Sequence, residues 1–236
     1  MRWTIKTASE AVGGLSNPSK MPSLGTSTPA DKCGVGSRLR AVPGTVCSKC
    51  YAHKGSYVWS TTQAAMERRY SLVLAACEDP IAGERWIDAF SFLLNRKLAN
   101  QRKRIAANPA APIGHDARYF RWHDSGDLIN AAHLGLICGV AARTPEISHW
   151  LPTRELAAVL AHLRAFGGFP DNLTVRLSAA KIDTPPPVVP GCVGSAVHSE
   201  GEPIGFGCPA YSNDGECGEC RACWDRSVPV TSYPEH

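Results

Sequence analysis

The sequence predicts an α/β fold, a partial (β/α) barrel or a small parallel sheet, with Cys-rich, loop-like N- and C-terminal segments. Three observations predict it. Strand-like and helix-like stretches alternate between residues 117 and 180, the first sixty residues show no sustained apolar period, and the composition shifts again after Ala180. The 236 residues are therefore expected to form one α/β domain, divided into an irregular segment (1–59), an α/β core (60–180) and a Cys-rich segment (181–236).

The elements follow in order. Residues 1–59 are rich in Gly, Ser, Pro and Lys and need an external staple to stay ordered. Ala65, Arg69, Leu72 and Ala76 fall at helical spacing, and Trp86, Ile87, Phe90, Leu93 and Leu94 mark a second helix. "ARYFRWH" then has the aromatic content of a strand, "LINAAHLGLICGVAART" reads as a helix, "ISHWLP" as a strand, "RELAAVLAHLRAF" as a helix and "LTVRLSA" as a strand. Strands alternating with helices imply parallel pairing through crossover connections. A closed eight-stranded barrel takes about 250 residues, and the first sixty here contribute little to one.

The apolar fraction of 44% suits a chain that buries a core. No apolar run is long enough to span a membrane, and "MRWTIKTASE" lacks the apolar centre of a signal peptide, so a soluble, unexported cytoplasmic protein without a membrane partner is expected. The net charge is +4, and "NRKLANQRKR" (95–104) gathers five basic residues that suit either phosphates or a solvated helix end. The sequence leaves the oligomeric state open.

In a reducing compartment, ten cysteines point to metal ligation rather than disulfides. Two groups stand out. Cys33, Cys47 and Cys50 form a trio with gaps of thirteen and two residues; Cys208, Cys217, Cys220 and Cys223 form a quartet with gaps of eight, two and two. Pairs separated by two residues can direct both sulfurs at one metal, either zinc or an iron–sulfur cluster. Four thiolates close a site, whereas three leave a position open for chemistry unless a fourth ligand such as His53 completes a zinc staple. Cys77 and Cys138 lie in apolar helical sequence and read as buried thiols, while Cys192 has no assigned role.

Functional groups of parallel α/β folds gather at the carboxyl ends of strands. The first strand delivers His123, Asp124, Ser125 and Asp127, the second Thr153, Arg154 and Glu155, the third Arg176 and Ser178. His123 and Asp124 are candidates for acid–base work, and Arg154 for gripping a carboxylate or phosphate. Ser125, Asp127, Thr153, Glu155, Arg176 and Ser178 are candidate substrate or cofactor contacts. Asp127 also suits a helix cap, and Glu155 a helix N-terminus.

"NPSKMP", "VPGTVCSKCYAHKGSYV", "FRWHDSGDL", "WLPTRE", "NLTVRLSA" and "CGECRACWDRSVPVTSYPEH" resemble the bacteriophage gene-product-88 family nearly end to end. The resemblance implies a phage origin, and hence the host cytoplasm, but no particular reaction. More distantly, a cysteine followed by CxxCYA and strands with polar ends is similar to three-cysteine phage proteins suggestive of radical S-adenosylmethionine enzymes. That likeness implies a [4Fe–4S] cluster on Cys33, Cys47 and Cys50, S-adenosylmethionine at its free iron, an auxiliary cluster on the quartet and an electron donor. "HDSGD" also resembles a motif of base-exchanging transglycosylases. The expected function is a metal-dependent phage enzyme acting on a nucleotide or nucleic acid. The alternatives are a zinc-stabilised nucleic-acid-binding accessory protein without turnover and a transglycosylase-like base-modification enzyme.

Overall fold

The structure is a computed structural model that describes residues 2–110 and 112–235. Its elements are α1 (Ile5–Val12), β1 (Leu24–Gly25), α2 (Gly34–Leu39), α3 (Ser60–Glu78), α4 (Pro80–Ala107), β2 (Tyr119–Arg121), α5 (Ala131–Ala142), β3 (Ser148–Thr153), α6 (Leu156–Phe166), β4 (Leu173–Ser178), β5 (Val193–His198), β6 (Phe206–Gly207) and β7 (Val230–Pro234). The seven strands form one parallel sheet in the order β1-β2-β3-β4-β5-β7-β6, curved as a half-barrel with helices around it. The predicted α/β partial barrel is therefore what the chain forms. No helix among the described residues is long and apolar enough to cross a membrane.

Four helices and three strands lie where the residue pattern predicts them. Asp79 caps α4 by accepting from the Ile81 N–H, with Pro80 in the first turn, and Asn130 caps α5 by accepting from the His133 N–H. The terminal segments differ from expectation. Residues 1–59 contain α1 and β1, and residues 181–236 contain β5, β6 and β7, where loop was expected. The physical reason is that β1 and β6 are two residues long and β5 is built from small residues. Gly194 of β5 lies so close to Pro186 that an added Cβ would sit 2.3 Å from the proline ring. Such strands gain their order from their neighbours and carry little pattern of their own.

Alternation along the strands separates two layers. Phe120 and Trp122, Leu151, and Leu173, Val175 and Leu177 are buried in the apolar core with Phe90 of α4 and Leu134, Ile137 and Val140 of α5. Phe90 and Phe120 pack on Trp122 with ring centroids 4.9 and 5.0 Å away. Within this layer, His149 is fully buried; its Nδ1 accepts from Trp122 Nε1, and its Nε2 lies 2.8 Å from Thr144 Oγ1. Thr144 Oγ1 itself donates to Val140 O, so the hydroxyl is left to accept from the His149 Nε2–H and the ring is neutral.

The other layer faces the barrel interior. Residues 222–228 of the Cys-rich segment fill its lower part. Trp224 is buried, donates from Nε1 to Phe120 O, and meets the Trp150 ring edge-on at 5.2 Å. Thr174 Oγ1 donates to Trp224 O. Arg176, also fully buried, donates to five backbone carbonyls: Ala222, Cys223, Asp225 and Val228 of the plug and Gly194 of β5.

Arg176→Met removes the guanidinium from all five carbonyls; Ala222 O and Asp225 O keep the Asp225 and Val228 N–H donors, and each buried group left unsatisfied carries a penalty. We expect a loss of about 3 kcal/mol or more, read as a lower urea midpoint with proteolytic cleavage concentrated between residues 217 and 229. An unchanged midpoint would refute the clamp. A second expectation concerns pH. Burial holds His133 and His149 down at about 3, whereas an unfolded His titrates near 6.5. Between those values the unfolded chain binds more protons, so stability is full above about pH 6.5 and falls on acidification, by about 2 kcal/mol per histidine at pH 5. Asp127, pushed up to about 6, opposes this with a smaller term of the other sign. Urea midpoints at pH 7.5 and 5.0 should show the net fall, and His149→Gln should flatten it.

Candidate functional site

The polar ends of the strands meet in a cavity of about 350 Å³ at the carboxyl edge of the sheet, above the plug. Its wall includes Arg121 at the end of β2, His123, Ser125 and Asp127 after it, Trp150, Thr153 and Arg154 at β3, Ser178 at β4, Ser195 on β5, and Tyr233 and Glu235 at β7. Cys33, Cys47 and Cys50 complete the wall from the N-terminal segment.

The turn after β2 is strained in a way that suits a site. His123 has φ 56°, a left-handed conformation for a residue with a side chain. Gly126 has φ 82° and touches Thr28, where an added Cβ would lie 1.9 Å from Oγ1, so only glycine fits. His123 is 3% exposed, and among the described residues neither buried ring nitrogen has a hydrogen-bond partner. Burial, with His133 and Arg121 nearby, holds it well below the usual histidine range, hence neutral. The Ser125 Oγ, Trp150 Nε1 and Arg121 Nε atoms are buried and unpartnered as well. Natural proteins rarely leave such groups unpaired without a functional reason.

The structure assigns the remaining strand-end residues to unequal tasks. Asp127 accepts from Leu128 N, Thr153 Oγ1 (2.5 Å) and Arg154 N, tying the β2 turn to the end of β3; the helix cap considered for it belongs to Asn130. Burial pushes the Asp127 carboxyl up to about 6 despite those donors. Arg154 donates from Nε to Ala179 O, and its charge acts on Cys47. Ser178 and Ser195 share a hydroxyl contact of 2.9 Å.

Three predicted residues stand apart from the wall. The Asp124 carboxylate turns outward to Ser16 Oγ (2.7 Å) and the Tyr57 hydroxyl, because the left-handed His123 reverses the direction of the chain there. Glu155 Oε1 accepts from Val35 N at 2.6 Å, at the start of α2, so it fixes the loop that carries Cys33 instead of facing a ligand. Arg176 lies one layer lower, with its donors occupied by the plug.

All ten cysteines are free thiols. Gly36 packs against two of the trio: a Cβ there would lie 3.6 Å from both the Cys33 and Cys47 sulfurs, a cradle that a side chain would fill. The quartet lies outside the cavity wall, although Cys223 Sγ is 3.2 Å from the hydroxyl of the wall residue Tyr233. Among the described residues, no three His, Cys, Asp or Glu side chains are spaced to hold one metal ion. The trio thus supplies thiol donors of the type a metal takes, but as placed they are not spaced to hold one ion. Burial raises the Cys33 and Cys47 thiols, and the neighbouring thiols and carboxylates raise them further.

Sequence reasoning missed Arg121, Trp150, Ser195, Tyr233 and Glu235. Arg121 and Trp150 sit two residues before His123 and Pro152 on the inward face, so the strand period of two could have found them. Ser195, Tyr233 and Glu235 required knowledge of β5 and β7.

Fold and site together define a parallel half-barrel protein with a thiol-rimmed polar cavity. Residues 3–226 match the family described as Gene product 88, and the chain belongs to that family. No curated protein and no solved structure matches it at a significant level.

If Glu155 secures the Cys33 loop, Glu155→Ala removes the acceptor for Val35 N and costs about 1 kcal/mol, as loss of a helix cap does. Alkylation of Cys33 by iodoacetamide, followed by peptide mass spectrometry, should become severalfold faster than in the wild type. An unchanged Cys33 rate would show that the carboxylate does not hold the loop.

Proposed function

We propose that this protein is a metal-dependent phage enzyme whose cavity acts on a nucleotide or nucleic acid. The observation that carries the reading is that Cys33, Cys47 and Cys50, but not the quartet, share a cavity wall with His123, Asp127 and Arg154. Three thiols leave an incomplete ligand set at a place where substrate can reach it, whereas four make a closed, structural or electron-storing set. In the specific form we favour, a [4Fe–4S] cluster held by the trio would supply one-electron reduction of S-adenosylmethionine, with an external electron donor.

The chain's own residues support such chemistry. Arg154 presents a fixed cation for a carboxylate or phosphate, with its backbone N–H and Nε already anchored. Asp127, poised at about 6, can hold or release a proton near neutral pH. His123 is neutral, and its imidazole is buried in the cavity wall with neither nitrogen hydrogen-bonded among the described residues. Trp224 and Arg176 seal the cavity from below, which limits water. Of the two carboxylates in "HDSGD", the transglycosylase reading draws support from Asp127 alone, since Asp124 faces Ser16 and Tyr57.

Anaerobic purification followed by absorption spectroscopy and iron, sulfide and zinc analysis tests the proposal. We expect a coloured protein containing iron and sulfide, and Cys47→Ala should lose the cavity centre while keeping metal at the quartet. Colourless wild-type protein with stoichiometric zinc would favour the accessory-protein alternative. Loss of all metal from Cys47→Ala would contradict two independent centres.

A further inference from the structure

The basic run 95–104, singled out as a phosphate-binding candidate, is at the wrong end of the sheet to serve the cavity. It closes α4, where Arg102 pairs with Glu146, just before the start of β3, and Arg104 donates to Ile113 O. The cavity opens at the opposite, carboxyl ends of the strands.

A different set of cations lies on the segment that supplies the cysteine-bearing part of the cavity wall. Residues 32–59 contain five Lys or Arg and no Asp or Glu. Lys32, Arg40 and Lys49 pair with Glu67, Asp31 and Glu235, whereas exposed Arg38 and Lys54 have no carboxylate partner among the described residues. Aromatic rings alternate with these cations. Tyr51, in the cavity wall, is 45% exposed, and its ring is 5.6 Å from Tyr57; two residues further on, Trp59 is 64% exposed. Flexible cations interleaved with exposed aromatic faces are the arrangement that grips unpaired nucleotides, the cations taking phosphates and the rings stacking on bases.

We infer that a single-stranded nucleic acid lies across this cysteine-bearing rim, contacting Arg38, Lys54 and Trp59, with one nucleotide entering the cavity. The inference rests on the cavity being the substrate site and narrows its substrate to a polymer. The unpaired cations Arg38 and Lys54 and the exposed Trp59 ring favour a polyanion with stacking bases over an uncharged acyl chain. A duplex base cannot reach such a pocket without leaving its stack, so single strands are preferred over duplex.

Fluorescence anisotropy with a labelled 15-nucleotide single-stranded DNA or RNA, the matching duplex, and vesicles containing phosphatidylserine tests this on the full chain as purified. Single strands should bind more tightly than duplex, with affinity falling as salt rises. Trp59→Ala should weaken binding about tenfold, and Arg38→Glu with Lys54→Glu should weaken it at least as much and flatten the salt dependence. Lys97→Glu with Lys103→Glu, on the distal run, should change neither. All of these are exposed positions, and circular dichroism checks the fold of each variant. Absence of single-strand binding, preference for vesicles, or sensitivity to the distal pair but not to the rim would each overturn the inference. Metal content measured on the same samples separates the outcomes: rim-dependent binding by a protein without iron would sink the cluster proposal and leave the rim assignment standing.

Discussion

A guanidinium sealed inside a sheet must find an acceptor for each of its donors, and Arg176 finds them in backbone carbonyls rather than in a carboxylate. That requirement organises the molecule. A parallel half-barrel has an open concave face that its own strands cannot fill, and the four carbonyls of residues 222–228 are presented to Arg176 only when that stretch lies inside it. Trp224 then fits between the Phe120 carbonyl and the Trp150 ring, which converts the lower interior from a solvent-filled trough into a floor. The chain leaving the plug enters β7 beside β5, bringing Tyr233 and Glu235 to the cavity above. One buried cation thus links the Cys-rich tail, the last long strand and the cavity floor.

The N-terminal segment is attached by a second polar device. Asp124 is 5% exposed and accepts from Ser16 and Tyr57, and its backbone carbonyl accepts from the Tyr51 hydroxyl. Arg69 of α3 spans the same region by donating to the carbonyls of Gly14 and Leu15 and to Ser27 Oγ. α1 enters the apolar core through Ala8 and Val12, whereas these contacts hold the stretch that follows it, and with it the cysteine trio, by hydrogen bonds whose geometry is specific. The left-handed His123 belongs to the same arrangement, because it directs Asp124 outward to the segment while keeping its own imidazole on the cavity wall.

Much of this was legible in the residues, and the limits have physical causes. β2, β3 and β4 could be read because each is bounded by turns and separated by helices with clear apolar periods. β5 and β7 could not, since their order comes from pairing with each other and with β4. The rule that polar groups collect at strand ends located His123, Ser125, Asp127, Thr153, Arg154 and Ser178 on one cavity wall. It could not separate Arg176 from Ser178, which share a face two residues apart, because the depth of the floor is set by a plug distant in sequence. Nor could it orient Asp124, whose direction depends on a left-handed backbone that a histidine adopts only under tertiary constraint.

The charge balance of the cavity adds a final constraint. Burial and mutual repulsion raise Cys33 and Cys47, with Asp127 and Glu155 contributing in the same direction. Arg154 works against this at Cys47, while Arg121, held over the Trp150 ring at 4.7 Å and donating to the Tyr51 hydroxyl, faces Asp124 and Cys217 as well. Two guanidiniums therefore stand against several latent anions, and Cys33 and Cys47 remain thiols at neutral pH unless positive charge joins them. Any ligand that converts Cys33 and Cys47 to thiolates must bring that charge.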